Sequence, residues 1–207
     1  MIIKSAQFVT SVADANKIPT GGDSPEIALC GRSNVGKSSF VNYIAGQNRL
    51  AKTSKEPGRT RLINYFSINQ GELTLVDLPG YGFAKVAESE KRKWGNMIEG
   101  YLKNSPNLKN VFLLLDIRRD PNEDDVMMIN YLYHYAISFT VIATKMDKVS
   151  RSEGLKRIRD LAAKLKIGVG NILPVSSYAK TGKEGILNRF DEILEASKLA
   201  PEIAEDE

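Results

Sequence analysis

Cysteine, histidine and tryptophan each occur once in these 207 residues, as Cys30, His134 and Trp94. A lone thiol excludes an intramolecular disulfide, and its place in an apolar run makes Cys30 a core residue rather than a nucleophile. No apolar stretch is long enough to cross a bilayer, and Met1-Ile2-Ile3-Lys4 lacks the layout of a secretion signal. A cytoplasmic protein with no membrane partner is expected. Internal repeats, low-complexity segments and signs of a second folded unit are also missing. What remains is ordinary for a globular chain, 42% hydrophobic and 26% charged. The length supports one α/β domain with a sizeable core.

Against that background one octet stands out. Gly31-Arg32-Ser33-Asn34-Val35-Gly36-Lys37-Ser38 is a complete G-x-x-x-x-G-K-[ST] string. The run Glu26-Ile27-Ala28-Leu29-Cys30 before it predicts a buried strand, and Ser39-Phe40-Val41-Asn42-Tyr43-Ile44 after it begins a helical pattern. A glycine-bounded turn between strand and helix aims backbone N–H groups at phosphate oxygens, with the positive end of the helix dipole behind them. Lys37 then reaches the β- and γ-phosphates, and the Ser38 hydroxyl is a ligand for Mg2+. The implied ligand is a nucleoside triphosphate.

Which base it carries is written further along. Thr140-Val141-Ile142-Ala143 predicts a strand that delivers Thr144, Lys145, Met146 and Asp147 at its end. A carboxylate there accepts from the N1–H and the exocyclic amine of guanine, a donor pair that adenine lacks. Leaving it buried and unpaired costs roughly 2–5 kcal/mol. The Lys145 stem can lie across the base. After Asn171-Ile172-Leu173-Pro174-Val175, the string Ser176-Ser177-Tyr178-Ala179-Lys180 fits a loop closing on the same base, so Val175, Ser176 and Ser177 join the site. Between the two halves, Leu73–Val76 predicts a strand ending in Asp77-Leu78-Pro79-Gly80. Asp77 is placed to hold Mg2+ through a water, and the Gly80 N–H to meet the γ-phosphate. In the basic stretch Gly58-Arg59-Thr60-Arg61-Leu62, Thr60 is a second hydroxyl ligand for the metal, although alone it reads as an ordinary loop threonine.

These motifs stand in the order and spacing of a translation-factor-type GTPase. With Thr53-Ser54-Lys55, Pro57–Thr60, Asp77–Gly82, Lys91-Arg92-Lys93-Trp94 and Asp116-Ile117-Arg118, the chain resembles the EngB (YihA/YsxC) family, within the TrmE-Era-EngA-YihA-septin-like superfamily. The resemblance covers essentially the whole chain. It implies a P-loop NTPase fold, a Ras-like G domain over 23–198 between an N-terminal arm (1–22) and an acidic tail (199–207). It also implies a monomeric GTP-binding protein with GTPase activity in assembly of the large ribosomal subunit, linked to normal cell division and septation. Tyr81 stands where many GTPases carry a water-orienting glutamine, so slow intrinsic turnover is expected, and no catalytic residue is assigned. Related GTPases with asparagine at the position of Asn34 bind K+ beside the phosphates; the alternative is an asparagine bonded within its own loop. Two rivals are a nucleotide-gated adaptor for division proteins with no direct ribosomal role, and a P-loop kinase or ATPase.

Strands alternating with helical patterns predict a mostly parallel sheet with helices on both faces. Leu62–Ile68 and Leu73–Val76, joined by Asn69-Gln70-Gly71-Glu72, predict a hairpin and hence one antiparallel edge strand. Val111–Leu115 reads as a central strand. Pro121 should open a helix carrying Val126, Met127, Ile129 and Tyr133, with His134 late in it and serving structure. Leu155, Ile158, Leu161, Ala162 and Leu165 mark another helix, and Ile186, Leu187, Phe190, Ile193 and Leu194 a third. Trp94, Ile98, Tyr101 and Leu102 should pack on the sheet.

Net charge is +4, but residues 192–207 hold six acidic and one basic side chain, leaving 28 basic and 19 acidic in the rest. Arg49, Lys52, Lys55, Arg59 and Arg61 gather near the first nucleotide-sensing stretch, and Lys85, Lys91, Arg92 and Lys93 near the second. A surface of that kind favours ribosomal RNA as partner, with strongly salt-dependent binding.

Overall fold

In a computed structural model of the chain, the described residues are 1–207 apart from 15, 16, 18, 20, 21, 53–61, 83–87 and 204–207; side chains of 88–91, 93, 94 and 200–203 are likewise outside the description. Seven strands and five helices are described: β1 (Ala6–Val12), β2 (Glu26–Gly31), α1 (Lys37–Ala45), β3 (Ile63–Ile68), β4 (Leu73–Asp77), α2 (Glu88–Asn104), β5 (Leu108–Asp116), α3 (Glu123–His134), β6 (Phe139–Thr144), α4 (Arg151–Leu165), β7 (Ile172–Pro174) and α5 (Lys183–Ile203).

The strands form one sheet in the order β1-β3-β4-β2-β5-β6-β7. Every residue of β2 is buried, as expected where the apolar run Ile27–Cys30 is covered on both faces; Glu26 at its start accepts from the Tyr101 and Ser105 hydroxyls. Its alternating side chains feed two cores. Ile27 and Leu29 meet Phe40, Val41 and Ile44 of α1 and Ile186, Phe190 and Ile193 of α5. Ala28 and Cys30 face the side covered by Ile98 and Tyr101 of α2, Ile129 and Leu132 of α3 and Ile158 and Leu161 of α4. Phe112 stacks on Phe190 at 5.6 Å and meets Phe40 edge-on at 6.3 Å, joining both helices to the central strand. Burial pushes the Cys30 thiol up to about 12, so it stays protonated as a core residue.

Several expectations shift in detail. The hairpin forms, with β3 antiparallel to β4, but β3 is not the edge: β1 of the N-terminal arm pairs antiparallel along its outer side. The helix after Pro121 begins at Glu123, because Asn122 is the better cap. Its side chain accepts from the Asp125 N–H at 3.1 Å, while Asp125 accepts from the Asn122 N–H at 3.0 Å. Val126, Met127 and Tyr133 on α3 and Leu155 on α4 are exposed; the buried faces are Asp125, Ile129 and Leu132, and Gly154, Ile158, Leu161, Ala162 and Leu165. His134 is the last residue of α3 and exposed. Ile98, Tyr101 and Leu102 are buried, and the Trp94 side chain lies outside the described residues. α5 runs on to Ile203, into the stretch read as tail. Among the described residues no helix is long and apolar enough to cross a membrane.

The topology fixes where a ligand can sit. From β2 the sheet grows to β4 and β3 on one side and to β5, β6 and β7 on the other. Such a switch of direction leaves a crevice outside the carboxyl ends of the parallel strands. β3, running the other way, begins at that same end, with Asn64 opposite Asp77.

Candidate functional site

The octet Gly31–Ser38 leaves β2 at this crevice and becomes the first turn of α1. Gly36, at φ 114°, forms the junction, and no side chain caps the helix and no acid sits in its first turn. The first N–H groups are thus open to an anion, in the field of the helix dipole. Lys37 is only 8% exposed and its ammonium donates to the Gly31 carbonyl at 3.3 Å, so its charge is held inside the loop. The end of β4 presses on it. The Tyr81 carbonyl accepts from the Ser33 N–H at 3.0 Å. A Cβ on Gly80 would lie 3.1 Å from the Lys37 ammonium and from Ser33 N and Cα. Gly80 is therefore a close approach to the phosphate loop that a side chain would disturb. Leu78 and Pro79 are buried beside it.

Asp77 is 2% exposed, and its Oδ1 has no hydrogen-bond partner. Burial pushes its carboxyl up to about 6, while the Lys37 ammonium and a hydrogen bond from Ser38 pull it down. A buried carboxylate oxygen with no partner, next to a hydroxyl and a phosphate loop, fits a hydrated divalent cation. Of the residues expected to hold the metal, Ser38 lies beside Asp77. Thr60, with Gly58, Arg59 and Arg61, lies outside the described residues, and Leu62 precedes β3, partly exposed.

The base side is built from the ends of β6 and β7. The Thr144 hydroxyl, buried, has one proton for two carbonyls, Val35 at 3.0 Å and Leu115 at 3.1 Å, and so ties β6 to the phosphate loop and to β5. Lys145 adopts left-handed backbone (φ 62°, ψ 35°), and its ammonium donates to the Asn34 carbonyl and to Asp116, each at 2.9 Å. Asp147 accepts from the buried Ser176 hydroxyl at 2.6 Å through Oδ1. Its Oδ2 receives no hydrogen bond and has the Lys148 ammonium 3.1 Å away. The Ser176 bond, opposed by burial and assisted by Lys148, holds this carboxyl below its ordinary range, so it is ionised at neutral pH. Val175 is buried, accepts from the Met146 N–H at 3.3 Å, and donates to Ala143 at 2.8 Å. Ser176 and Thr181 pair through two backbone bonds, with half-buried Ser177 between them.

Two loop residues differ from a simple phosphate clasp. Arg32 keeps its side chain against Gly82, its Nε 3.2 Å from where a Cβ there would stand. Asn34 is exposed, at φ 61°, and its amide has no hydrogen-bond partner among the described residues. Tyr81 is committed elsewhere: its hydroxyl donates to Asp125 Oδ1 at 2.8 Å, below α3. Burial and the neighbouring acids raise its phenol well above the ordinary range. Asp116 and Arg118, noted in the sequence but given no role there, enter the site through Lys145. The available signal was an acid at the carboxyl end of a strand buried on both faces.

Comparison with known proteins matches residues 26–145 to a family model described as "50S ribosome-binding GTPase". A protein of Geotalea daltonii named "Probable GTP-binding protein EngB" is 46% identical over 95% of this chain and 94% of its own length. A protein of the same name from Mycoplasma capricolum is 52% identical over 75% of this chain and 79% of its own. Among solved structures, one titled "Crystal structure of a probable GTP-binding protein engB" superposes with a TM-score of 0.68 at 24% identity, covering 83% of this chain and 99% of that one.

Proposed function

Because this chain belongs to the 50S ribosome-binding GTPase family and, within it, to the EngB GTP-binding proteins, we propose that its GTP site works as a magnesium-dependent switch in assembly of the large ribosomal subunit, with the family's link to cell division and septation following from that role. GTP binding and GTPase activity are properties of the family. The observation that carries the base reading is the state of Asp147. One oxygen is fixed by Ser176, while the other is held only by the ion pair with exposed Lys148, on the same sheet edge as the open first turn of α1.

In this reading the N–H groups of Gly31–Ser38 and the Lys37 ammonium hold the β- and γ-phosphates. The Lys145 stem lies along the base and Asp147 accepts from its N1–H and exocyclic amine, with Val175, Ser176 and Ser177 closing the loop. Ser38, Thr60 and, through a water, Asp77 are the residues that would hold Mg2+; when bound, that ion neutralises charge on the β- and γ-phosphates. Gly80 presents its N–H where the γ-phosphate ends. Tyr81 lends no hydroxyl to the attacking water while it is bonded to Asp125, which supports slow turnover in the absence of a partner. Asn34, exposed and with no partner for its amide among the described residues, is the residue to hold K+ beside the phosphates. Turnover compared in potassium and sodium at equal ionic strength should then differ, and equal rates remove the ion from the account.

Co-sedimentation with isolated large subunits over a salt series tests the ribosomal role. Retention with a non-hydrolysable GTP analogue, release with GDP, and a steep loss of binding as salt rises are expected. Retention of division proteins but not of subunits would favour the adaptor reading.

A further inference from the structure

Lys145 and Thr144 are consecutive, and they reach consecutive carbonyls of the phosphate loop, Asn34 and Val35. A long side chain in left-handed backbone is uncommon and persists where its surroundings over-determine it. The Lys145 side chain meets Asp116, at the end of β5 directly opposite Thr144. Its carboxylate is gripped on one side by the fork of Arg118, Nε to Oδ1 at 2.9 Å and Nη2 to Oδ2 at 2.7 Å, with the Arg118 N–H adding a third bond at 3.1 Å. On the other side Oδ2 takes the Lys145 ammonium at 2.9 Å. A bidentate fork fixes the carboxylate in direction as well as in charge.

We propose that Asp116, set by Arg118, is a positioning residue for guanine-nucleotide binding: it pins the Lys145 ammonium to the Asn34 carbonyl, so that the stem is ready for the base and the base and phosphate halves are held as one unit. The inference rests on the base site assigned above. Burial by itself would raise the Asp116 carboxyl, yet Arg118 and Lys145 hold it well below the usual carboxylate range, so it stays ionised under all ordinary conditions. The hydrogen bonds of the Asp116 carboxylate go to Arg118 and Lys145. Its effect is felt through Lys145, and therefore by GDP and GTP alike.

The test uses the full chain and four variants, Asp116→Asn, Arg118→Ala, Lys145→Met (which keeps the stem and removes the ammonium) and the Asp116→Asn/Lys145→Met double, with GDP and GTP affinities, GDP release rates and steady-state kinetics. Asp116→Asn should weaken GDP and GTP by similar factors, about tenfold or more, chiefly through faster release. The loss should fall on KM rather than kcat. Lys145→Met should lose a comparable factor, and the double variant should be no worse than Lys145→Met alone within about twofold. Arg118→Ala should show a smaller loss in the same direction. GDP affinity of Asp116→Asn within twofold of the parent, or losses that multiply in the double variant, would overturn the proposal. If Asp116→Asn does not fold, Arg118→Ala decides, since the Arg118 side chain is 43% exposed and lies outside the core; unchanged GDP release there overturns the proposal too. An unmodified chain that takes ATP as readily as GTP would instead overturn the base-site assignment.

Discussion

Asp147 and Asp77 are two aspartates whose environments shift them in opposite directions, and each makes its own prediction. Asp147 is ionised and half-satisfied by Ser176. Asp147→Asn replaces two acceptor oxygens by one acceptor and one donor, which cannot accept from both the N1–H and the exocyclic amine of guanine but can accept from N1–H and donate to the C2 carbonyl of xanthine. GTP binding should weaken by about 2–5 kcal/mol and xanthosine triphosphate should gain, measured by titration against both. Asp77 is held near pKa 6, above the 3.9 or so of an unfolded aspartate. Between about pH 4 and 6 the folded chain therefore keeps a proton that the unfolded chain has released. The nucleotide-free protein loses stability as pH rises through that window, by about 3 kcal/mol for this group. Urea midpoints at pH 4.5 and 7 should show about 2 kcal/mol of that fall in the parent and a smaller one in Asp77→Asn. Both aspartates are legible in the sequence as acids at strand ends. What strand position could not tell was that Thr144 would tether the phosphate loop, because its hydroxyl reaches two carbonyls only in the packed geometry.

Elements are legible where their signals are local and fail where they depend on what packs on them. The strand–loop–helix unit around Gly31–Ser38 and the β3–β4 hairpin follow from runs of a few residues. The α3 and α4 faces do not: Met127 and Leu155 sit near the apolar stripes by period, yet they fall on the side the sheet leaves uncovered. Asn122 outcompetes Pro121 as the start of α3 because its capping box satisfies two backbone N–H groups. Asn122→Ala should cost about 1 kcal/mol of unfolding free energy, read by chemical denaturation. Gly182 ends the loop that carries Ser176. It has φ 85°, and a Cβ there would fall 2.1 Å from the Pro174 carbonyl oxygen. Gly182→Ala should destabilise by about 2 kcal/mol or more and weaken GDP binding, because the Ser176–Thr181 pairing that orients Asp147 must shift.

At the scale of the molecule, the change of direction at β2 gathers the phosphate loop, Asp77–Gly80, Asp116, Thr144–Asp147 and Ser176 along one edge of the sheet. The alternation of strands and helices makes that gathering readable in outline. The contacts that finish it are not: Tyr81 finds Asp125 across 44 residues and Lys145 finds Asp116 across 29, and neither pair leaves a periodic trace. Purine discrimination is where phosphate grip and base recognition meet, so calorimetry with GTP and ATP in the presence of magnesium is the most direct measurement. The account predicts tight, saturable binding of GTP and binding of ATP weaker by at least about a hundredfold, corresponding to some 3 kcal/mol at Asp147. Equal heats and equal affinities for the two nucleotides would contradict it.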